Sequence, residues 1–231
     1  MDFARVLQEA TPLLLVGVKL TIGISLLSLL IGFFIGLLAC LMGMSNLKIL
    51  KFISGAYVWV IRGTPMIVQA FIVYFGVPQL IQLFIPAFKF TPFIAGVITL
   101  SLNAGAYLSE IFRGGIQAIE IGQTEAARSL GMSKSSTMIK VVLPQAFKIS
   151  IPSLVNQFII TIKDTSILSV IGLAELVNKA KTYVGASYQF FATYIFVAVF
   201  YLAVISVLMV VSKILENKLN AENKGRKGDE K

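Results

Sequence analysis

The sequence has no histidine, a single cysteine and few charged residues. Cys40 alone cannot form an intrachain disulfide, and without histidine it cannot join a Cys/His metal site, so zinc and haem sites of that kind are excluded. Charged residues make up 13% of the 231 residues and hydrophobic residues 57%, against about 25% and about 45–50% in soluble domains. So few charges cannot cover this much apolar surface in water. The sequence therefore predicts an integral membrane protein.

Long runs without charge locate the membrane spans, because a helix needs about 20 mostly apolar residues to cross the hydrocarbon core. Four runs are long enough: 20–47, 63–88, 90–109 and 182–212. A fifth stretch, 149–174, is interrupted only by Lys163 and Asp164, and we interpret it as a spanning helix with a polar interior face. The prediction is one all-α domain over residues 1–231, with five spans, a cytoplasmic loop and a polar tail. Their predicted limits are roughly 13–43, 53–82, 91–112, 149–172 and 188–213 for the spans, 113–148 for the loop and 214–231 for the tail.

The distribution of basic residues predicts the orientation. With the C-terminus inside, the inner segments hold fourteen Lys and Arg and the outer segments hold four. Because cytoplasmic segments carry the excess of positive charge, the N-terminus is predicted to lie outside and the C-terminus in the cytoplasm. The net charge of +9 is thus explained by topology and by contact with membrane lipid, and no nucleic-acid partner is expected.

The predicted cytoplasmic loop has signals for two short helices. Thr124 can cap a first helix with Glu125 in its first turn, and Gly131 can end that helix in the left-handed conformation. A second helix can begin after Ser133 and is expected to stop near Pro144. The loop is therefore predicted to be a helix, a glycine turn and a second helix.

This loop resembles a known motif. The spacing of seven residues is similar to the EAA loop of the membrane-spanning subunits of ATP-binding-cassette (ABC) importers: Glu125-Ala126-Ala127, Gly131, Val141 and Leu143-Pro144. Val141 stands where that family usually has isoleucine, which is a small change between β-branched side chains. Three further segments resemble the polar amino acid branch of the family: Arg62-Gly63-Thr64-Pro65 with Gln69, residues 106–116, and Lys163-Asp164-Thr165-Ser166.

The resemblance implies a type I importer fold and a permease subunit of an amino acid importer in a bacterial-type plasma (inner) membrane. In that family the EAA loop forms a coupling helix, which sits in a groove of the ATP-hydrolysing subunit. The implied coupling residues are Glu125, Ala126, Ala127, Arg128, Leu130, Gly131, Leu143 and Pro144. The implied partners are two copies of the ATP-binding subunit, a second permease subunit that is identical or related, and an extracytoplasmic amino acid-binding protein.

The sequence has no G-x-x-x-x-G-K-[ST] loop of the kind that cradles nucleotide phosphates. The chain is therefore not expected to be an enzyme by itself. We expect ATP and magnesium to be bound by the partner subunit, and neither a cofactor nor a metal to be bound by this chain.

Polar residues form stripes on two predicted spans, since residues spaced by three or four share a helix face. Span three carries Thr99, Asn103, Tyr107 and Glu110, and span four carries Ser153, Asn156, Gln157, Thr161, Lys163 and Asp164. Polar groups facing lipid would be costly, so both stripes are expected to face the bundle interior or a wet cavity. They either join helices by hydrogen bonds or line a pathway for an amino acid. In the pathway interpretation, Asn103, Gln157 or Thr161 donates to the carboxylate, and Asp164 or Glu110 accepts from the ammonium.

The segment Arg62-Gly63-Thr64-Pro65 with Gln69 is a candidate gate or kink, because proline removes a backbone donor. The alternative is a static kink whose arginine reaches the inner headgroups. Trp59 and the aromatic residues between 188 and 201 are interpreted as membrane-interface anchors.

Two other functions are compatible with parts of the pattern. An ion- or proton-coupled secondary amino acid transporter would use Glu110 and Asp164 as relay groups, and a membrane scaffold or sensor would use the polar stripes for packing alone. For a permease, the pair Asn156 and Gln157 favours a glutamine-like or glutamate-like substrate. Cationic amino acids and cystine stay open.

Overall fold

The computed structural model describes the backbone of residues 2–228 and the side chains of residues 2–217. These residues form helices and no strand, which confirms the predicted all-α fold. The α-helices are α1 (Phe3–Met44), α2 (Lys48–Gly63), α3 (Met66–Phe71), α4 (Val77–Ile81), α5 (Pro92–Gln117), α6 (Ile121–Ser129), α7 (Lys134–Thr137), α8 (Leu143–Asp164), α9 (Leu176–Ser187) and α10 (Phe190–Gly228). Two π-helical segments, Ile72–Gly76 and Met138–Val142, and one 3₁₀-helix, Thr165–Ile171, connect some of them.

By length and composition, four helical segments could cross a membrane: Phe3–Met44, Pro92–Gln117, Lys134–Ile171 and Phe190–Asn217. The bent pair Lys48–Gly63 and Met66–Ile81 supplies a fifth if it is counted as one span. α10 includes the predicted fifth span and continues into the predicted polar tail as far as Gly228. Residues 229–231 of that tail, and the side chains from 218 onward, lie outside the described part of the chain.

The centre of the fold is the pair α1 and α5. Gly32 on α1 lies against the backbone of Ser101, and Gly36, one turn further, lies against Gly105 and Ser109. Because both contacts advance in the same direction, the two helices run parallel. Glycine at these positions lets the backbones approach closely, as is common between membrane helices.

The second predicted span, 53–82, is not one kinked helix. α2 ends at Gly63, α3 begins at Met66, and the two limbs meet at 106°. Pro65 is the extended residue before α3 rather than a residue inside a helix. It therefore stands where it costs no helical hydrogen bond, and the kink expected within a helix is instead a complete break.

The fourth predicted span begins earlier than expected. α7, the π-helical segment and α8 follow one another without a gap from Lys134 to Asp164, and the 3₁₀-helix extends the run to Ile171. Asp164 is the last residue of α8, so the Lys163-Asp164 pair marks the point where the α-helix changes to a 3₁₀-helix. Gly172, with φ of 81°, then turns the chain towards α9, a helix that the sequence analysis did not predict.

Candidate functional site

The loop between α5 and α7 is shorter than the predicted cytoplasmic loop. α5 extends to Gln117 and the next helical run begins at Lys134, so the predicted loop 113–148 reduces to residues 118–133 with α6 inside it. Thr124 lies within α6 and does not cap it, because the helix begins at Ile121 after Glu120. The predicted first helix is therefore present, with its start displaced by one turn.

The turn after α6 is built as the sequence predicted. Gly131 has φ of +83°, a left-handed conformation that glycine adopts without steric cost. The Met132 amide donates to the Ala127 carbonyl at 3.2 Å, and Nη1 of Arg128 donates to the Met132 carbonyl at 2.6 Å. Arg128 is thus occupied in closing this turn.

Proline 144 does not end the second helix of the loop. The Ser133 hydroxyl caps α7 by accepting from the Ser136 amide at 3.2 Å, which confirms the predicted start. Pro144 then lies in the first turn of α8, directly after the π-helical segment, with Leu143 beside it. The expectation of a stop at Pro144 was wrong, because the helical run continues through the proline and its hydrogen-bond pattern changes to π-helical in the turn directly before it.

A large apolar side chain is exposed at the start of α6, and another directly after its end. Ile121 is 75% exposed and Leu130 is 85% exposed, although both lie in an otherwise polar segment. Glu125, Ala126 and Arg128 are also exposed, whereas Ala127 is buried. Exposed large apolar side chains in a polar segment are candidate contacts with another molecule.

Gln69 holds the break between α2 and α3. Its Nε2 donates to the Ile61 carbonyl at 2.7 Å and to the Thr64 carbonyl and hydroxyl at 3.0 Å. Its Oε1 accepts from Nδ2 of Asn103 on α5 at 3.1 Å. Gln69 and Asn103 are both buried. These two predicted site residues are therefore brought together inside the protomer, and they join the break to α5.

A charge cluster lies beside the same break. Oε2 of Glu110 is 3.4 Å from Nη1 of Arg62, and it also accepts from Nη2 of Arg113. The Arg62 guanidinium lies 5.3 Å from the ring centroid of Tyr107, within the range of a cation–π contact. Glu110 thus balances two arginines, and Arg62 is held by α5 rather than extended to the headgroups.

The residues of the polar stripe predicted on span four lie in two different environments, some buried in the protomer and some exposed. Gln157 and Thr161 are buried, and the Thr161 hydroxyl donates to the Gln157 carbonyl at 2.9 Å. Asn156 and Lys163 are exposed on the protomer, Ser153 is also exposed, and Asp164 is half-buried. On α5, the Thr99 hydroxyl donates to the Ala95 carbonyl of its own helix and is buried. The exposed members, and not the buried ones, are available to another molecule.

Glu175 is a buried carboxylate that the sequence patterns did not indicate. Glu175 is fully buried and caps α9 by accepting from the Val177 and Asn178 amides at 2.9 and 2.7 Å. Tyr201 on α10 donates to the same carboxylate at 3.3 Å. Burial raises the pKa of Glu175, and the two backbone hydrogen bonds oppose that rise. An acid near a helix N-terminus is favoured by the helix dipole, so Glu175 is a weak sequence signal for the start of α9.

No metal site emerges from these clusters. Among residues 2–217, no three Cys, Asp or Glu side chains are grouped closely enough to hold a metal ion.

Comparison with known proteins decides the family. Residues 29–221 match the model of the family described as binding-protein-dependent transport system inner membrane component. The chain belongs to this family. It is a multi-pass inner-membrane permease of an amino acid ABC importer, and ATP is hydrolysed by a separate subunit.

Curated relatives of the permease have different substrates in their names. It is 43% identical to the L-cystine transport system permease protein TcyB of Bacillus subtilis over 75% of this chain and 72% of that protein. It is 39% identical to the arginine transport system permease protein ArtQ of the same organism, over 82% and 84%. It is also 39% identical to the glutamine transport system permease protein GlnP of Escherichia coli K12, over 78% and 80%.

Solved structures match the permease over nearly its whole length. The crystal structure of an amino acid ABC transporter with histidines superposes with a TM-score of 0.88 at 38% identity, covering 94% of this chain and 99% of that one. The inward-facing MetNI methionine ABC transporter has a TM-score of 0.72 at 18% identity, covering 90% and 96%, and it supports the fold alone. These matches favour the importer over the secondary transporter and the scaffold. They imply an ATPase partner, a second permease and a binding protein.

Proposed function

We propose that this permease carries a glutamine-like or glutamate-like amino acid into the cell and that α6 couples its movement to ATP hydrolysis. In the proposed assembly, two permease subunits sit on two ATP-binding subunits, which bind ATP and magnesium, and an external binding protein delivers the substrate. The N-terminus lies outside and the C-terminus in the cytoplasm, in agreement with the excess of basic residues on the inner side.

The observation that carries the coupling proposal is the continuity between the loop and α8. α6 packs against the π-helical segment Met138–Val142, which leads directly into α8. Because a helix transmits displacement along its axis better than a loop does, movement of α6 reaches Asp164 without crossing a flexible connection. Ile121 at the start of α6 and Leu130 directly after its end are exposed, and contact with the ATPase subunit would cover them.

The remaining coupling residues fit supporting roles. Glu125, Ala126 and Arg128 are exposed on α6, and the small side chain of Ala126 allows close approach by the ATPase subunit. Ala127 is buried and Gly131 forms the turn, so both shape the helix end. Leu143 and Pro144 begin α8, the element that receives the movement.

The substrate pathway is proposed to run along the exposed part of the α8 stripe. Asn156 and Lys163 are exposed there and Asp164 beside them is half-buried, and a polar side chain such as Asn156 would be costly against lipid. A facing surface from the second permease subunit, with water between, removes that cost. Tyr107 and Glu110 on α5, held beside Arg62, form the inner end of this pathway.

In this scheme the buried polar residues hold their neighbours in place and do not contact the substrate themselves. Gln157 and Thr161 sit behind Asn156 on α8, and Asn103 secures Gln69 at the break. A glutamine-like side chain fits the neutral amide of Asn156, which can both donate to it and accept from it. The relatives named for cystine and arginine make those amino acids the competing substrates to test.

Copurification tests the coupling proposal. A C-terminally tagged permease, solubilised from native membranes, is expected to retain the ATP-binding subunit, and Leu130→Asp is expected to lose it. Leu83→Asp is the matched control, because Leu83 is 76% exposed and lies outside the coupling loop. Equal recovery of the ATPase with all three proteins would remove α6 as the docking element.

A further inference from the structure

The orientation of α2 differs from that of a spanning helix. Its axis meets the limb Met66–Ile81 at 106°. That limb belongs to the charge-free run 63–88, which is long enough to cross the membrane. α2 is nearly perpendicular to it and therefore lies close to the membrane plane.

Contacts with α1 and α5 place α2 in the half of the bundle that contains their C-terminal ends. The Ser54 hydroxyl donates to the Ala39 carbonyl at 2.6 Å, near the C-terminal end of α1. At its other end, Arg62 pairs with Glu110, near the C-terminal end of α5. In the proposed orientation both of these helix ends are cytoplasmic. This placement rests on the proposed function, specifically on the orientation with the N-terminus outside and the C-terminus in the cytoplasm.

One face of α2 packs against the protein and another is apolar and uncovered. The packed face carries Ser54, which is buried, and Tyr57, whose hydroxyl donates to the Leu102 carbonyl at 2.6 Å. The uncovered face carries five large apolar side chains, of which Trp59, at 78%, is the most exposed: Ile49, Phe52, Ile53, Trp59 and Val60. In water this face would be costly, whereas a helix in the membrane interface buries such a face among the acyl chains.

A basic edge borders the uncovered face. Lys48 and Lys51 are three residues apart and so lie on neighbouring parts of the helix surface. Both are exposed, and among residues 2–217 neither forms a salt bridge with an acid. Lysines in a first helical turn are disfavoured by the helix dipole, so helix stability does not explain them. Arg62 is not available to this edge, because Glu110 and Tyr107 hold it.

We infer that α2 is an interfacial helix whose Lys48 and Lys51 bind the phosphate groups of anionic phospholipids in the inner leaflet. Lysine side chains reach headgroups while their methylene stems stay on apolar surface, and the cytoplasmic leaflet carries the negative charge that matches them. Tryptophan side chains are enriched at the same depth, the interface between the headgroups and the acyl chains. α2 leads directly to the break held by Gln69, so these lipids anchor one side of that break.

Trp59 allows a direct test, because it is the one tryptophan in the sequence. The full chain is placed in nanodiscs of phosphatidylcholine that contain a small fraction of brominated phosphatidylglycerol, and its fluorescence quenching is compared with that from the same fraction of brominated phosphatidylcholine. Local enrichment of roughly 5-fold per lysine is expected, so the anionic lipid should quench several-fold more strongly. Bromines near the headgroup should quench more than bromines near the chain end.

The variant Lys48→Gln/Lys51→Gln should reduce quenching by the anionic lipid to the level of the zwitterionic lipid. The control Lys89→Gln/Lys181→Gln removes the same charge from exposed positions on the predicted outer side and should behave like the wild type. Equal quenching by the two lipids in the wild type would overturn the inference. So would an absence of quenching by either lipid, which is the result if a second permease subunit covers Trp59. The measurement needs no ATPase subunit, and its outcome is therefore independent of the coupling proposal.

Discussion

Asn103 on α5 donates from Nδ2 to Oε1 of Gln69 at 3.1 Å, although the two residues are 34 positions apart in the chain. Through this bond the break between α2 and α3 is attached to the centre of the fold. Gln69 uses its amide nitrogen for Ile61 and Thr64 at the end of α2, so one buried side chain joins three helices.

The Gln69→Leu variant is expected to lower stability by about 1–3 kcal/mol, because buried groups lose their partners. Thermal unfolding of the purified permease in detergent measures the change. The double variant Gln69→Leu/Asn103→Leu should cost less than the sum of the two single variants, since the second substitution removes a donor already left without its acceptor. Strictly additive losses would show that the two side chains do not act as a pair.

Glu110 is expected to matter more for transport than Arg113. Glu110→Gln leaves Arg62 and Arg113 close together without a carboxylate between them, whereas Arg113→Gln keeps the contact of Arg62 with Glu110. ATP-driven uptake into proteoliposomes should therefore fall further with Glu110→Gln. If Arg113→Gln were equally damaging, the Arg62 contact would not be the important one.

Substitutions at Gly131 should separate backbone conformation from side-chain size. No atom lies within 4 Å of a Cβ added there, so space does not limit the side chain, but φ is +83°. A β-branched residue in this conformation costs about 1–2 kcal/mol, while asparagine tolerates it better. Recovery of the ATPase subunit should decline in the order glycine, asparagine, valine. A Gly131→Val protein that binds the ATPase as well as Gly131→Asn would contradict this role.

Gly36 and Gly23 form a matched pair on α1. A Cβ at Gly36 would lie 2.8 Å from the Gly105 carbonyl oxygen and from Cβ of Leu108, while a Cβ at Gly23 would meet nothing within 4 Å. Gly36→Ala forces α1 and α5 apart and should destabilise the protein by about 1–3 kcal/mol. Gly23→Ala should leave the unfolding temperature unchanged or raise it slightly. Similar losses from both would argue against close contact of the two helices.

Charge and periodicity predicted the elements that are determined by residues close together in the chain. Charge-free runs indicated α1, α5 and α10, and Gly131 and Ser133 predicted the turn and the cap that the structure contains. The stop expected at Pro144 does not occur because the helical run changes to π-helical geometry directly before the proline, and sequence alone does not reveal that change.

Features that depend on distant residues were not predictable from the sequence. Pro65 indicated a bend, but its angle of 106° depends on Gln69 and on its partner on α5. α9 was missed because it is short and carries Lys179 and Lys181, so the search for charge-free runs passed over it. The polar stripe on α8 was predicted as one face, yet packing buries Gln157 and leaves Asn156 exposed.

The most direct test of the account measures uptake of radiolabelled glutamine by proteoliposomes that contain the permease, its ATP-binding subunit and the binding protein. With wild-type permease, uptake should require ATP, and unlabelled glutamine should compete better than arginine or cystine. Leu130→Asp should abolish ATP-driven uptake while Leu83→Asp retains it. Uptake that continues without ATP, or that Leu130→Asp leaves intact, would contradict the claim that α6 couples ATP hydrolysis to transport.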